Sequence, residues 1–545
     1  MIDRRSFLTL GACPAAAALA QTPAQAPGAP AAASPFADPD FGFTAQIALG
    51  AAYYGGGDPG KLMAILSKIK PADFESAYTA YHDAGVLTQG LAQEALSKRH
   101  NVSAREAYLW AANYFSAALR MLDGTKDPDR MLGCWKEYAA CWSGAAALFD
   151  PPVERVEIPY GDAALTGWFL RADGSRRRRP LIILNNGADG LEKSMYVLGG
   201  AGALARGYNC LIFNGPGQGD SLWARKLYFR PDWEKVITPV VDAMLRHREV
   251  DAKRIALIGV SQGGYWVPRA LAFEHRIAAG VADPGVWDVS EPWFRTVPQM
   301  LRDMLRDGKK DAFDQMLKMG TQAPRIQGML RMRMRPFGTA SYYEVFRAVQ
   351  EYKLADVAGR ITCPMLITDP EGEQFFPGQS QKLHDALRCP KKLIHFTREQ
   401  GAEQHCEVNA PGYRDYCIYN WLAETLEIDQ RHTERFGELG VPGSDGYHRR
   451  RHQCPGYRHG GGSPDGLRPL GDSHVHMGQQ GRTAPPVPGR NRDSWRTGRQ
   501  RQADLRPSLC PAVERRPQRL GDPRNLRMVG RTPWSAADAL VGLPR

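Results

Sequence analysis

The chain has 545 residues, enough for two or more domains with a sizeable core, and a formal net charge of +12 from 70 basic and 58 acidic side chains. Residues 431–545 hold 21 Arg, no Lys and 10 acidic side chains, which leaves residues 1–430 nearly neutral, with 49 basic and 48 acidic groups. The nearly neutral net charge of residues 1–430 argues against the broad basic surface of nucleic-acid-binding domains. No nucleic-acid partner is therefore expected.

The N-terminal sequence predicts an export signal over residues 1–26. Arg4 and Arg5 precede a run of small apolar residues that ends in Ala-Gln-Ala, a pattern typical of twin-arginine signals. We therefore expect export of the folded protein to the periplasm or the medium, and the alternative is a lipoprotein signal ending at Cys13. A linker over residues 27–40 follows. No later stretch has the roughly 18 consecutive apolar residues of a transmembrane span.

The pattern of residues 41–150 predicts an all-helical domain. In the segment "NVSAREAYLWAANYFSAALRML", Glu106 follows Ser103 by three residues, the spacing of a capping box in which each side chain binds the backbone N–H of the other. Apolar residues then recur at the spacing of an amphipathic helix. The sequence therefore predicts that this helix starts at Ser103.

Residues 153–428 alternate between strand and helix patterns. The segments "RVEIPY" and "LTGWFL" predict a pair of edge strands. The short apolar runs "LIIL", "NCLIFN", "RIALIGV", "AGVAD" and "PMLITD" are separated by helical segments, which is typical of buried strands in a parallel sheet covered on both faces. The predicted fold class is α/β, with an open, mostly parallel sheet.

Residues 287–353 interrupt this alternation and predict a helical cap insertion. Seven of the 16 methionines lie between Met300 and Met334. We favour core packing of the cap as their role, and a compatible alternative is an adaptable apolar substrate pocket lined by unbranched Met side chains.

Residues 431–545 predict a disordered Arg-rich tail, since they are dense in Gly and Pro and show no apolar period. Because arginine occurs there without any lysine, we hypothesise translation of GC-rich DNA in a shifted frame; a genuine basic tail is the alternative. The ten cysteines include no Cys-x-x-Cys pair, which argues against a structural zinc site. No metal or cofactor is expected.

A glycine-flanked serine follows the predicted strand "RIALI" and precedes the helical segment "YWVPRALAF". The pentapeptide Gly259-Val260-Ser261-Gln262-Gly263 has the G-x-S-x-G pattern of a nucleophile elbow, in the strand–turn–helix context that the motif requires. The turn is tight and strained, so glycine is needed on both sides. This pattern predicts Ser261 as a catalytic nucleophile.

A serine hydroxyl needs a base to accept its proton, and His405 is the histidine we select. It lies in the loop "REQGAEQHCEVNA", between the last predicted strand and the last predicted helix, and it follows Ser261 in the chain order of such hydrolases. Its neighbour Cys406 is expected to pack. The remaining histidines of residues 1–430 lie in the helical domain, in predicted helices or in a strand: His82, His100, His247, His275, His384 and His395.

The segment "CPMLITDPEGEQFFP" offers three carboxylates that could orient the histidine: Asp369, Glu371 and Glu373. The sequence pattern alone leaves all three open.

A tetrahedral oxyanion needs backbone donors. The residue after the nucleophile, Gln262, supplies one N–H, and the loop after "LIIL" is expected to supply the second, for which we nominate Ala188. The segment "NGPGQGDS" lacks the Gly-Lys-Ser/Thr ending of a phosphate loop, so we interpret it as a structural turn.

Residues 40–428 resemble the α/β-hydrolase superfamily. The resemblance rests on "SAREAYLWAANYF", "NNGADGLEKSMY", "GPGQGDS", "GVSQGGYWVPRALAFEHRIAAGVA" and the segments around Glu373 and His405. Within the superfamily, the pattern is similar to a group with an N-terminal helical domain that includes pigment-pathway polyketide-shortening hydrolases, 2,6-dihydropseudooxynicotine hydrolase and fermentation-respiration switch esterases. That group often has Gly-Gly where this chain has Asn-Asn-Gly.

The resemblance selects Glu373 as the acid. In α/β-hydrolases the penultimate strand commonly begins at a proline, the acid falls nine residues later and a second proline follows after four more. Pro364, Glu373 and Pro377 match this spacing, although a glutamate replaces the commoner aspartate. Asp369 then takes a structural position at the end of the strand.

The resemblance implies hydrolysis of a small-molecule ester, or of a carbon–carbon bond next to a ketone. It also implies that Glu291, near the cap, could assist C–C cleavage, and that a homodimer could form through the helical domain. Peptide hydrolysis is a weaker alternative, since no propeller-like repeat precedes the hydrolase domain. A binding protein with an inactive hydrolase fold is the alternative from another class, and it would predict a broken triad.

Overall fold

A computed structural model describes residues 39–321 and 324–429. The predicted export signal, nearly all of the predicted linker and the Arg-rich tail lie outside these residues. The chain divides into two units, residues 1–445 and 446–545, and every described residue belongs to the first. Within the described ranges, no helix is both long and apolar enough to cross a membrane.

The first part of the described chain is helical, as the sequence predicts. Helices α3 (Phe74–Ser97) and α4 (Asn101–Leu122) pack closely because small residues face large ones: a methyl group at Gly85 would lie 2.8 Å from the Phe115 ring. The same domain packs on the sheet, where Trp142 meets Trp168 edge-on with ring centroids 5.8 Å apart. The helices are α1 (Pro39–Gly50), α2 (Pro59–Leu66), α3 (Phe74–Ser97), α4 (Asn101–Leu122) and α5 (Met131–Ala147).

The predicted capping box is wrong. Helix α4 begins at Asn101, and the carbonyl of His100 already accepts the N–H of Ala104 at 2.9 Å. Ser103 therefore lies inside the first turn, where its hydroxyl cannot act as an N-cap. His100 makes no side-chain capping bond.

In the described part of the chain, eight strands form one sheet in the order β1-β2-β4-β3-β5-β6-β7-β8. Strands β1 and β2 pair antiparallel, β2 pairs antiparallel with β4, and all other neighbours are parallel. Only β1 of the predicted edge pair is an edge strand, because β2 also pairs with β4. The strands are β1 (Glu154–Tyr160), β2 (Ala163–Leu170), β3 (Arg179–Asn185), β4 (Asn209–Phe213), β5 (Val250–Val260), β6 (Ala279–Asp283), β7 (Met365–Pro370) and β8 (Lys391–Phe396).

Both faces of the sheet are covered, which explains the continuous apolar runs in the sequence. In β3, Ile182 and Leu184 join the core shared with the helical domain. Leu181 and Ile183 point to the opposite face and join the core formed with helices α9 (Glu234–Met244) and α10 (Gly263–Leu271). The remaining helices are α6 (Glu192–Met195), α7 (Ala201–Ala205), α8 (Gly219–Trp223), α9 (Glu234–Met244), α10 (Gly263–Leu271), α11 (Ser290–Phe294), α12 (Gln299–Arg306), α13 (Lys310–Gly320), α14 (Pro324–Met334), α15 (Tyr342–Ala348), α16 (Gln379–Ala386) and α17 (Pro411–Thr425).

Helices α11 to α15 form the insertion between β6 and β7 and have a core of their own. That core includes Trp293, Phe313 and Phe346. Met334 is buried within it, whereas Met300 and Met319 are exposed. Core packing therefore explains only some of the cap methionines.

The order of the parallel strands reverses around β3. The chain runs from β3 outward to β4 and then returns to β5 on the other side of β3. In open α/β sheets, ligands bind in the crevice at the carboxyl ends of strands next to such a reversal. Asn185 at the end of β3 lies opposite Gly259 near the end of β5, so the segments that follow these strands meet there.

Candidate active site

Ser261 occupies a tight turn between β5 and α10. Its φ is +59°, a left-handed conformation that non-glycine residues rarely adopt. A methyl group at Gly259 would lie 2.2 Å from the Gly263 carbonyl oxygen, and one at Gly263 would lie 2.9 Å from the Asn185 carbonyl oxygen. The Ser261 N–H donates to the Asp283 carbonyl at 2.6 Å, which anchors the turn to β6. The turn therefore has the geometry of a nucleophile elbow, and the flanking glycines are sterically required.

The structure brings Ser261, His405 and Glu373 together. Ser261 Oγ lies 2.8 Å from His405 Nε2, and His405 Nδ1 lies 2.6 Å from Glu373 Oε2. The second carboxylate oxygen of Glu373 accepts the N–H groups of Phe375 and Phe376 at 2.8 and 2.9 Å. His405 and Glu373 are buried. This chain of contacts can pass a proton from the serine to an imidazole whose tautomer is held by a carboxylate.

The two other candidate carboxylates have different partners. Asp369 pairs with His395 at 2.8 Å, and Glu371 accepts the backbone N–H of Arg398 at 2.9 Å. Glu373 is therefore the one of the three that contacts His405.

Aromatic side chains surround the imidazole of His405. Phe375 meets it edge-on with centroids 4.6 Å apart, and Phe376 lies at 6.3 Å. Phe43 of α1 lies at 6.2 Å, so the helical domain reaches the candidate site. This apolar wall strengthens the electrostatic interactions of the site by excluding water.

The loop after β3 lies against the nucleophile. A methyl group at Gly187 would stand 3.2 Å from Ser261 Oγ. Within the described residues, the N–H groups of Gln262 and Ala188 donate to no other protein group. Both are therefore free to bind a developing oxyanion.

Gln218 braces this loop, a role that the sequence did not reveal because "NGPGQGDS" has the pattern of a structural turn. Its amide Nε2 donates to the carbonyl oxygens of Asn186 and Gly187 at 2.9 and 2.8 Å. Because the C=O and N–H of a trans peptide point in opposite directions, the second bond also fixes the direction of the Ala188 N–H.

Among the described residues, Glu291 makes no hydrogen bond or ion pair with Ser261, His405 or Glu373. Its carboxylate pairs with Lys382 Nζ at 3.0 Å, and both side chains are partly exposed. A role in assisting C–C cleavage would require this pair to break, and it stays a prediction.

Buried charges lie behind the serine and histidine loops. The Asp283 carboxylate accepts from Arg414 Nε at 2.6 Å and from Thr368 Oγ1 at 2.8 Å. Glu407, two residues after His405, is completely buried, and this burial raises the pKa of its carboxyl well above the ordinary value. Arg414 Nε also lies 3.7 Å from Glu407 Oε2, so this cluster, which no sequence pattern predicted, links β6 behind the elbow to the histidine loop.

Cys406 is a packing residue, as expected. Its thiol contacts the Asp283 carbonyl oxygen at 3.4 Å, and burial raises the pKa of that thiol well above the ordinary value. A thiol with a raised pKa is a poor nucleophile near neutral pH.

A cavity opens beside Ala188, at the junction of the helical domain, the loop after β3 and the cap. Its lining combines apolar and charged side chains, among them Leu119, Arg120, Asp189, Leu191, Trp223 and Met332. One cap methionine therefore lines a cavity next to the nominated oxyanion donor, in line with the second interpretation of the Met-rich insertion.

The relatives found by sequence comparison are hydrolases. No protein-family model matches the chain. The chain is 31% identical over 412 residues to the hydrolase LUC6 of a Fusarium species, covering 71% of this chain and 97% of that protein. It is 32% identical to the 20-hydroxy-prefusarin hydrolase FUS2 of Gibberella moniliformis, covering 72% and 98%.

Two further comparisons name the family and the fold. The α/β hydrolase gkaG of Penicillium citrinum is 32% identical, covering 64% of this chain and 86% of that protein. The crystal structure of a 2,6-dihydroxy-pseudo-oxynicotine hydrolase shares the fold, with a TM-score of 0.54 at 19% identity, covering 69% of this chain and 95% of that one. From these relatives and from the sheet around Ser261, the chain belongs to the α/β-hydrolase superfamily and is a hydrolase.

Proposed function

We propose that this protein is a serine hydrolase that cleaves a carboxylic ester through an acyl-enzyme. The observation that carries the proposal is the chain of contacts from Ser261 Oγ to His405 Nε2 at 2.8 Å and from His405 Nδ1 to Glu373 Oε2 at 2.6 Å. The two distances are those of hydrogen bonds, so the serine, imidazole and carboxylate are aligned for proton transfer.

In the proposed reaction, Ser261 Oγ attacks the ester carbonyl while His405 Nε2 takes the serine proton. Glu373 holds the imidazole and stabilises its cationic form. The N–H groups of Gln262 and Ala188 bind the oxyanion of the tetrahedral intermediate. His405 then gives its proton to the departing alcohol, and water activated by the same histidine hydrolyses the acyl-enzyme.

A second candidate is hydrolysis of a carbon–carbon bond next to a ketone. The apolar ring of Phe43, Phe375 and Phe376 around His405 favours it because it suits the apolar substituents of such a ketone. His405 would donate its proton to the carbanion as the C–C bond breaks. The serine, histidine and oxyanion donors would act as in ester cleavage, and only the leaving group differs.

Parallel assays separate the two reactions. Aryl acetates and butyrates test ester cleavage, and aryl 1,3-diketones test C–C cleavage, each with the Ser261→Ala variant as the control. Ester turnover alone supports the first candidate. Diketone cleavage that is lost in Ser261→Ala supports the second. Its loss in Glu291→Gln, with ester cleavage retained, would assign Glu291 to the C–C reaction.

A further inference from the structure

Two adjacent charged residues follow the loop after β3, and helical-domain side chains contact both. Tyr138 OH donates to Glu192 Oε2 at 3.0 Å and accepts the backbone N–H of Lys193 at 2.9 Å. Lys193 Nζ donates to Asn113 Oδ1 at 2.7 Å. Helices α4 and α5 thus contact the segment that immediately follows the loop, where Glu192 Oε1 also accepts from Asn214 Nδ2 of the hydrolase domain at 2.6 Å.

A third contact reaches the loop itself. Arg120 Nη1, on α4, lies 2.6 Å from Asp189 Oδ2, next to the nominated oxyanion donor Ala188. The Arg120 and Asp189 side chains are 19% and 35% exposed. The helical domain therefore contacts the chain both directly beside Ala188 and four and five residues after it.

These contacts involve groups that are costly to bury. Glu192 and Lys193 are 6% and 1% exposed, and Tyr138 is fully buried. Burial lowers the pKa of the Lys193 ammonium to about 7 and raises the pKa of the Glu192 carboxyl. A buried polar group that loses its hydrogen-bond partner is costly because it is shielded from water, so these contacts favour one position of this segment.

Ordering this loop carries an entropic cost. It contains Gly187 and Gly190, and glycine loses more conformational freedom on ordering than any other residue. The hydrolase domain holds one side of it through Gln218, as described above. The contacts with Tyr138, Asn113 and Arg120 hold the other side of the loop.

We propose that the helical domain is a positioning element of the active site, in which Tyr138, Asn113 and Arg120 hold the loop so that the Ala188 N–H stays directed at the oxyanion. The proposal rests on the proposed function, because it concerns the oxyanion of that reaction. These three are positioning residues, since they act through the loop and do not contact the reacting atoms.

The test measures reaction of the full chain with an alkyl fluorophosphonate, in which Ser261 Oγ displaces fluoride from phosphorus and the phosphoryl oxygen gains negative charge. The variants are Tyr138→Phe and Arg120→Gln. The maximal rate of phosphonylation and the half-saturating probe concentration are obtained separately. We expect the maximal rate to fall by about tenfold in Tyr138→Phe and less in Arg120→Gln, with half-saturation within about twofold, because a misplaced donor weakens only the transition state.

Tyr54→Phe is the matched control. Tyr54 OH also crosses from the helical domain to the hydrolase domain, but it donates to Asp415 on α17 at 2.8 Å. The control removes one interdomain tyrosine hydroxyl without altering the loop contacts, so its maximal rate should match that of the wild type. Circular dichroism establishes that each variant is folded, and Arg120→Gln keeps the test open if Tyr138→Phe is unstable, because that pair lies partly at the surface.

Wild-type maximal rates in both folded variants would overturn the proposal. A change in half-saturation alone would also overturn it, since the residues would then contribute to probe binding and not to the oxyanion. A wild-type protein that the probe does not label would contradict the proposed function itself. Equal labelling rates in the wild type and the variants would contradict only the positioning role.

Discussion

Gly187 lies directly against Ser261, so that a methyl group on Gly187 would stand 2.7 Å from Ser261 Cβ and 3.0 Å from the Val260 carbonyl oxygen. Carbon atoms that are not bonded to each other pack at about 3.5–4.0 Å. The loop after β3 and the nucleophile elbow are therefore packed in direct contact, and neither can shift without displacing the other.

Substitution of Gly187 by alanine should damage catalysis more than folding. The added methyl group must push the loop away from Ser261, and a displacement of about 1 Å at a catalytic centre costs on the order of 100-fold in rate. Steady-state kinetics with an aryl ester measures the effect. Gly90→Ala is the control, because Gly90 lies in α3 with open space around it, and alanine there should stabilise the helix by roughly 1 kcal/mol. Wild-type turnover in Gly187→Ala would contradict the contact.

Replacement of Glu373 by glutamine should lower kcat by roughly 10³–10⁴-fold, because the amide can present an N–H to His405 Nδ1 and favour the wrong tautomer. Glu371→Gln is the matched control, since Glu371 lies two residues away and accepts the Arg398 N–H. Stopped-flow and steady-state assays on both variants measure the difference. A larger loss in Glu371→Gln than in Glu373→Gln would show that the acid is wrongly assigned.

Lys193 should make stability depend on pH. Burial lowers its pKa from 10.5 to about 7 in the folded protein, so between these values the unfolded chain binds more protons and stability rises with pH. Below pH 7 the folded protein has to carry the buried ammonium. The change in unfolding free energy caused by Lys193→Met should therefore be more favourable at pH 6 than at pH 9, by roughly 1–3 kcal/mol.

Urea unfolding at pH 6, 7.5 and 9 measures this dependence. Lys68→Met, at an exposed position, is the control and should leave the pH dependence of stability unchanged. An equal effect of Lys193→Met at all three pH values would contradict a lowered pKa for Lys193.

Export should depend on the arginine pair near the N-terminus. If residues 1–26 form a twin-arginine signal, substitution of Arg4 and Arg5 by lysine should retain the protein in the cytoplasm, because that pathway reads the pair itself. Cell fractionation and immunoblotting measure the distribution, with Asp3→Asn as the control. Unchanged export of the double variant would contradict this signal assignment.

The sheet was predictable because burial on both faces leaves a continuous apolar run in each parallel strand. Strand β3 is an example, since four consecutive side chains in it are completely buried: Leu181, Ile182, Ile183 and Leu184. The meeting of Ser261 with the His405 loop was also expected, because both follow the carboxyl ends of strands.

Two of the histidines set aside as helical lie elsewhere. His247 and His275 lie in the connections that follow α9 and α10, not in the predicted helices. They precede β5 and β6, so they lie at the amino ends of these strands, at the opposite edge of the sheet from Ser261. Their position relative to the strands, and not their secondary structure, separates them from the site.

Contacts between distant segments left no local signal in the sequence. Phe43 and His405 are brought together only by the docking of α1, and Tyr138 meets Glu192 only when α5 packs on the segment after β3. The start of α4 was misplaced because Ser103 has the spacing of a capping box, whereas the first helical bond is made by the preceding His100. Tertiary packing decides which distant side chains meet, and neighbouring backbone bonds decide where a helix starts.

The central claim is that Ser261 is an activated nucleophile. The most direct measurement treats the full-length protein with a fluorophosphonate probe and locates the adduct by peptide mass spectrometry, with Ser261→Ala and His405→Ala in parallel. The predicted result is one labelled peptide that contains Ser261, no label at this position in Ser261→Ala and strongly slowed labelling in His405→Ala. A folded wild-type protein that stays unlabelled, or a label on another serine that persists in Ser261→Ala, would contradict the claim.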